Sequence, residues 1–99
     1  MNMQKIMQEA QKMQAQIQKD QKEIENKIYE GTSSIVSITM NGKYQIKSVK
    51  INIEDDITRD DKEMLEDMIQ VAMNDAINKV NREKEAKMGK YGQGLAGLM

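Results

Sequence analysis

Residues 62–80 read KEMLEDMIQVAMNDAINKV, a stretch without glycine or proline in which apolar residues recur every three or four positions. That periodicity predicts an amphipathic helix, which we place at about residues 59–87. Its apolar face, from Met64 to Val80, is wider than the narrow seam of a coiled coil. Because a face that broad suits the surface of a sheet, we expect the helix to pack across the strands that precede it.

The start of this helix is strongly acidic. Residues 54–75 carry nine acidic side chains against two basic ones, although the whole chain of 99 residues has a formal charge of only −1. Thr58 and Asp61 stand at the spacing of a capping box, with Asp in place of the usual Glu. Carboxylates are favoured at a helix N-terminus, where unpaired N–H groups carry partial positive charge. Local helix physics therefore explains much of the acidic concentration.

The segment before this helix, residues 27–53, is rich in β-branched residues and contains two turn signals, Gly31 to Ser34 and Asn41-Gly42. The apolar spacing shifts between Ile46 and Val49, which predicts a β-bulge near Lys47-Ser48. We expect three antiparallel strands, at about 27–31, 34–40 and 43–53.

Two loops are possible for the second hairpin. A two-residue loop would pair Ile38 with Gln45 and set an apolar side chain beside a polar one on the same face. A three-residue loop, with Gly42 in the left-handed conformation, pairs Ile38 with Tyr44 and gives one apolar and one polar face. We therefore predict the three-residue loop.

The first residues of the chain predict another helix, at about 2–26. Its apolar positions alternate three and four apart, and Asp20 takes the one slot in which an apolar side chain is expected. A seam this narrow requires a partner helix, as in a coiled coil. At the other end, residues 89–99 contain four glycines and predict a flexible tail. The seam positions are Met3, Ile6, Ala10, Met13, Ile17 and Ile24.

Composition limits the classes of function. The chain has no His and no Cys, so the usual general base, the cysteine nucleophile and thiolate or imidazole metal sites are ruled out. The acidic run IEDDITRDDKE lacks the spacing of a Ca²⁺ loop, and no phosphate-binding glycine motif is present. The polar N-terminus predicts neither a signal peptide nor a membrane anchor. We expect one cytoplasmic domain without catalytic activity, metal, cofactor or small-molecule substrate.

Basic side chains form rows with two possible roles. On the first helix the lysines recur every seven residues, and such a row either follows a phosphate backbone or is an ordinary solvated face. The cluster near the end of the second helix is also explained by favourable charge at a helix C-terminus. The first set is Lys5, Lys12, Lys19 and Lys22, the second is Arg82, Lys84, Lys87 and Lys90, and the polar face of the sheet carries Lys43, Lys47 and Lys50.

The order of these motifs resembles the YbaB/EbfC family of bacterial nucleoid-associated proteins. The similarity covers nearly the whole chain, through MQEAQKMQAQIQK, EG, VSITMNGKYQIKSVKI and DDKEMLEDMIQVAMNDAINKV. It implies an α+β fold of a long helix, a three-stranded antiparallel sheet and a second long helix, in an intertwined homodimer whose helices project like tweezers. The resemblance also implies that the protein binds double-stranded DNA with little sequence specificity. It further implies a location at the nucleoid and roles in nucleoid organisation and gene regulation.

The lean core also favours a dimer. With ten Met and no Phe or Trp, one chain offers little apolar volume for two amphipathic helices. We expect a second copy to bury part of Met64, Leu65, Met68 and Ile69. Without Phe or Trp, stacking of bases on aromatic side chains is disfavoured, so we expect phosphate contacts to double-stranded DNA and not single-strand binding. The alternative is a coiled-coil adaptor or chaperone-like module that binds another protein instead of DNA.

Overall fold

The computed structural model describes the backbone of residues 2–98 and the side chains of residues 2–91. The predicted order of two long helices around a three-stranded antiparallel sheet is confirmed. The capping box at Thr58 and Asp61 is also confirmed, with the Thr58 N–H donating to the Asp61 carboxylate at 2.9 Å. The elements are α1 Met3–Asn26, β1 Tyr29–Ser33, β2 Val36–Met40, β3 Ile46–Ile51, a 3₁₀ turn Arg59–Asp61 and α2 Lys62–Leu98.

The first hairpin turns later than predicted. Ser33 pairs with Val36, so Ser34 and the next residue form the turn, and Ser34 takes a left-handed conformation with φ 50°. Gly31, which was expected to start the turn, lies inside β1 opposite Ile38. A Cβ atom at Gly31 would stand 2.0 Å from the carbonyl oxygen of Ala72, so the glycine is required where α2 lies directly on the strand.

The second hairpin has neither of the predicted registers, because Ile38 pairs with Val49. The loop runs from Asn41 to Gln45, and the buried Asn41 organises it. Its side-chain oxygen accepts from the N–H of Lys43 at 2.9 Å and of Gln45 at 3.1 Å. These hydrogen bonds stabilise a loop that is longer than the two- or three-residue loop predicted from Asn41-Gly42.

The left-handed residue of this loop is Tyr44, with φ 64°, and not Gly42 as predicted. Gly42 serves a different need, since a Cβ atom there would lie 2.0 Å from the carbonyl oxygen of Ile24. The N–H of Gly42 donates to the carbonyl of Glu25 at 3.2 Å. The loop is thus fixed to the end of α1.

The predicted bulge at Lys47-Ser48 is confirmed. Met40 pairs with Ile46 and Thr39 with Ser48, so Lys47 is the extra residue of β3. The bulge places the apolar residues of β3 on the same face as those of β2. These β3 residues are Ile46, Val49 and Ile51.

The helix α2 packs on β1 and β2 but, within the described residues, not on β3, so the prediction that it crosses all three strands is wrong. Gly31, Ala72 and Ala76 bring the helix down onto β1. A helix about 10 Å wide covers roughly two strands spaced about 4.8 Å apart. The buried apolar residues include two clusters, one of Tyr29, Met40, Ala76 and Val80 and one of Val36, Ile38 and Ala72, together with Ile24 and Tyr91.

The two helices run antiparallel, and α2 continues to Leu98, past the end predicted near residue 87. Tyr91 is buried, and its hydroxyl donates to Asp20 of α1. The helix therefore includes most of the segment 89–99 that was predicted to be a flexible tail, and Met99 lies outside the described residues.

The first part of α1 projects from an elongated molecule with extents of 71 × 20 × 14 Å. All residues from 2 to 12 are exposed, and Met3 and Met7 of the apolar side keep 75% and 60% of their surface. Further along, Asp20 and Ile24 are buried. Only the second half of α1 is thus packed on described parts of the chain. Within the same residues, no helix has the length and apolar character to cross a membrane.

Candidate nucleic-acid interface

The lysine row of α1, which consists of Lys5, Lys12, Lys19 and Lys22, is exposed to solvent. Within the described residues, none of its side chains forms an ion pair, whereas several lysines elsewhere do. The seven-residue spacing places Lys5, Lys12 and Lys19 along one side of the helix, away from the seam that contains Asp20. Lys22 follows one turn after Lys19. The row therefore presents four exposed ammonium groups, with Lys5 and Lys12 on the projecting part of α1 and Lys19 and Lys22 on its packed second half.

Two of the predicted basic residues of α2 are held by carboxylates. The Lys87 ammonium lies 3.3 Å from Glu83 and 3.5 Å from Glu23. Its hydrogen bond to Glu83 is the main cause that raises the pKa of Lys87. Lys90 lies 3.8 Å from Asp20 and 5.0 Å from the centre of the Tyr91 ring. These side chains join α2 to α1, which leaves them less available to phosphates.

The other two basic residues of α2 differ from each other. The Lys84 ammonium donates to the Tyr44 hydroxyl at 3.1 Å and stands 4.2 Å from the centre of that ring. Arg82 is exposed and forms no ion pair with a described residue. The structure therefore does not bring the four predicted residues of α2 together as one available cluster.

The lysines of the sheet are spread over different surroundings. Lys50 lies on the polar face, paired with Ser37 of β2, and Lys47 is the bulged residue. Lys43, in the hairpin loop, is 4.0 Å from Glu25. These positions form no continuous row comparable to that of α1.

A buried polar contact fixes the direction of α1. Asp20 accepts hydrogen bonds from the Tyr91 hydroxyl and, at 3.0 Å, from the Gln16 amide. The bond from Tyr91 is the largest cause that lowers the pKa of Asp20, while burial opposes it. Asp20 is only 6% exposed. In the sequence, an aspartate at a heptad position where an apolar residue is expected was the sign of this buried polar contact.

The acidic end of the molecule lies far from this contact. Glu54, Asp55, Asp56 and Asp61 line a cavity beside the first turn of α2. The 37 residues of α2 extend about 55 Å, and only its later turns meet α1. The acidic residues are therefore kept away from the lysine row. No group of three or more metal-ligating residues occurs within the described chain.

The predicted dimer residues fall partly inside the fold. Met68 and Ile69 pack against the Val36 cluster, Leu65 is half-buried and Met64 is 45% exposed. A larger uncovered apolar surface lies on β3 and the segment after it, which we call the β3 face. It was not predicted, because α2 was expected to cover all three strands, although the alternation of apolar residues was visible in the sequence. The β3 face consists of Ile46, Val49, Ile51, Ile53 and Ile57.

Comparisons with known proteins agree with this architecture. The sequence model of the YbaB/EbfC DNA-binding family matches residues 1–95. A nucleoid-associated protein of Francisella philomiragia is 48% identical over 90% of this chain and 81% of its own length. A nucleoid-associated protein of Lactococcus lactis is 41% identical over 96% of this chain and 97% of its own. The crystal structure of an uncharacterized Helicobacter pylori protein shares the fold, with a TM-score of 0.71 at 19% identity, over 92% of this chain and 97% of that one.

Proposed function

The chain belongs to the YbaB/EbfC DNA-binding family, and from this premise we propose that it is a homodimeric nucleoid-associated protein of the cytoplasm. It binds double-stranded DNA with little sequence specificity, mainly through phosphates. By changing the conformation of the DNA, it contributes to nucleoid organisation and gene regulation. The family description is that of a binding protein, and we propose no catalytic role for the chain.

The unengaged lysine row on the projecting α1 is the observation that supports this proposal most. A cation already bound by a carboxylate gives up that contact when it binds a phosphate, whereas Lys5, Lys12 and Lys19 give up only water. Each phosphate that they neutralise releases condensed counterions from the duplex. We propose Lys22 as a fourth contact, Arg82 and Lys84 as secondary contacts, and a smaller share for Lys87 and Lys90.

The β3 face supports the proposal of a homodimer. Val49 and Ile51 keep 50% and 39% of their surface although they continue the apolar face of β2. An uncovered apolar strip of this kind is typical of a surface that another chain buries. We propose that a second copy covers the β3 face together with the adjacent Met64, Leu65, Met68 and Ile69, and that the two α1 helices project from the dimer.

Electrophoretic mobility shifts at several salt concentrations test the DNA binding. We expect the wild type to bind duplexes of unrelated sequence and matched A·T content with similar affinity, and log K to fall linearly with log salt. Replacing Lys5, Lys12, Lys19 and Lys22 by Ala should weaken binding on every sequence and flatten the slope by about 0.9 for each phosphate that is no longer neutralised. If this variant keeps its helicity, its dimer and its full affinity, then the lysine row is only a solvated face.

The exposed apolar end of α1 favours a second candidate function, a coiled-coil adaptor for another protein. Met3, Ile6 and Met7 are exposed on the part of the helix that packs on no described residue. An apolar helical stripe of this kind fits a partner helix. The absence of any mobility shift at micromolar protein and low salt would favour this adaptor over the DNA-binding protein.

A further inference from the structure

The helix α1 contains a repeated dipeptide that the lysine row alone does not explain. Gln-Lys occurs at positions 4-5, 11-12 and 18-19, one copy in each successive heptad, and once more at 21-22, outside that spacing. Because seven residues make nearly two helical turns, the three heptad-spaced copies form two rows about 100° apart around the helix axis. The lysine row lies on one side and Gln4, Gln11 and Gln18 lie on the other.

From Gln4 to Lys22 this Gln–Lys face is free of acidic side chains, and Glu25 takes the next position of the glutamine row near the end of α1. The remaining positions between the two rows are Gln8, Ala15 and Lys22, and all of them are exposed. The carboxylates of Glu9 and Glu23 lie beyond the lysine row, toward the seam. Within the described residues, Gln16 donates a side-chain hydrogen bond to Asp20, whereas the three glutamines of the row form none. Their amide groups are available to a ligand along the whole face.

We propose that the Gln–Lys face enters the major groove of duplex DNA, where the glutamine amides bind the edges of adenines and the lysines bind phosphates. This inference rests on the proposed DNA binding. It implies that the protein binds duplexes rich in A·T pairs modestly more tightly than other duplexes. A helix 10–12 Å across fits the major groove, which is about 12 Å wide, but not the minor groove of about 6 Å.

The chemistry of the amide selects the base. Glutamine offers a donor and an acceptor side by side, which match the N7 acceptor and N6–H donor that adenine presents in the major groove. Lysine offers donors alone, so it cannot form this pair. Successive repeats are about 10.5 Å apart along the helix, close to three base-pair steps of about 3.4 Å. Gln4 and Gln11, on the part of α1 that packs on no described residue, have unobstructed access.

The test compares two duplexes of one sequence, in which every adenine is either normal or replaced by 7-deazaadenine. The replacement removes the N7 acceptor from the major groove and leaves pairing, minor groove and phosphates in place. We expect the wild type to bind the modified duplex at least about five-fold more weakly. The variant with Gln4, Gln11 and Gln18 changed to Ala should bind both duplexes equally, with an unchanged salt slope. Alanine favours helix, so α1 should keep its helicity by circular dichroism.

The matched control changes Lys5, Lys12 and Lys19 to Ala. It should weaken binding to both duplexes, flatten the salt slope and keep the discrimination between them. Equal binding of the two duplexes by the wild type would overturn the glutamine contacts while leaving the proposed DNA binding intact. Absence of binding to either duplex by the wild type would overturn both proposals.

Discussion

Gly31 determines how closely α2 approaches the sheet. The missing side chain leaves room for the carbonyl of Ala72, which would lie 2.0 Å from a Cβ atom at this position. We expect Gly31→Ala to lower the free energy of unfolding by about 1–3 kcal/mol or more, because a helix backbone cannot move aside as a flexible side chain can. Urea denaturation at a fixed protein concentration measures the change.

Gly89→Ala is the matched control for this substitution. Gly89 lies in α2, and a Cβ atom added there would meet nothing within 4 Å. Alanine at this position should be neutral or stabilise by up to about 1 kcal/mol, because it favours helix. Equal effects of the two substitutions would show that close packing at Gly31 does not set the helix position.

Tyr91 is expected to govern part of the response to alkaline pH. Its hydrogen bond to Asp20, together with burial, raises the pKa of Tyr91 to about 12. The folded protein keeps this proton after the unfolded chain has lost it, so the contribution to stability is complete below about pH 10 and is lost as pH rises toward 12. We expect Tyr91→Phe to be less stable at neutral pH and to lose stability less steeply between pH 10 and 12.

Denaturation curves at pH 8, 10 and 11 for the wild type and Tyr91→Phe check this expectation. Burial raises the pKa of Tyr29 to about 12 as well, so the variant should keep a reduced dependence on pH. An unchanged steepness in Tyr91→Phe would mean that the hydroxyl does not bind Asp20 in solution.

Lysines that join α2 to α1 should differ in their effects from the lysines of α1 that face solvent. Lys87 bridges Glu83 and Glu23, so Lys87→Ala should cost up to about 1 kcal/mol of stability, as expected for a partly exposed pair. Lys12→Ala should leave stability within about 0.5 kcal/mol but weaken DNA binding. Thermal melts and mobility shifts on both variants measure the two effects, and the reverse assignment would contradict the ranking.

Helices and the bulge could be predicted because their signals are local. The heptad of α1, the capping box at Thr58 and the phase shift at Lys47 each depend on neighbouring residues. The register of the second hairpin could not be predicted from neighbouring residues. Its loop depends on hydrogen bonds to the side chain of Asn41 and on the close approach of Gly42 to the end of α1. Likewise the length of α2 depends on burial of Tyr91 against Asp20, a contact between distant positions.

The candidate site was predicted in the same uneven way. The position of the lysine row follows from the period of one helix, so it could be read from the sequence. Whether Lys87 and Lys90 are available depends on carboxylates of α1, which only the packing of α1 against α2 reveals. The β3 face was missed because the width of a helix relative to the sheet, and not the strand pattern, decides what remains uncovered.

At the scale of the whole molecule, the β3 face predicts the oligomeric state. Val49→Asp should dissociate the dimer, because burying an unpaired carboxylate costs several kcal/mol. Leu65→Asp should dissociate or unfold the protein for the same reason. Lys50→Asp is the control, since it introduces the same group on the opposite face of the same strand and should leave the dimer intact.

Sedimentation equilibrium at micromolar protein distinguishes these outcomes, and circular dichroism shows whether each variant is folded. A monomeric wild type would contradict the proposed dimer. A dimer that survives Val49→Asp but not Lys50→Asp would place the interface on the polar face of the sheet.

The distance between the acidic end and the lysine row gives a nearly neutral chain a large electric dipole along its length. Within about one Debye length of a duplex, we expect this dipole to favour orientations in which α1 faces the phosphates. At physiological ionic strength the Debye length is about 8 Å, far less than the 71 Å extent of the molecule. In the proposed complex we expect the carboxylates to stand more than a Debye length from the phosphates, which should leave the outer surface of a coated duplex negatively charged.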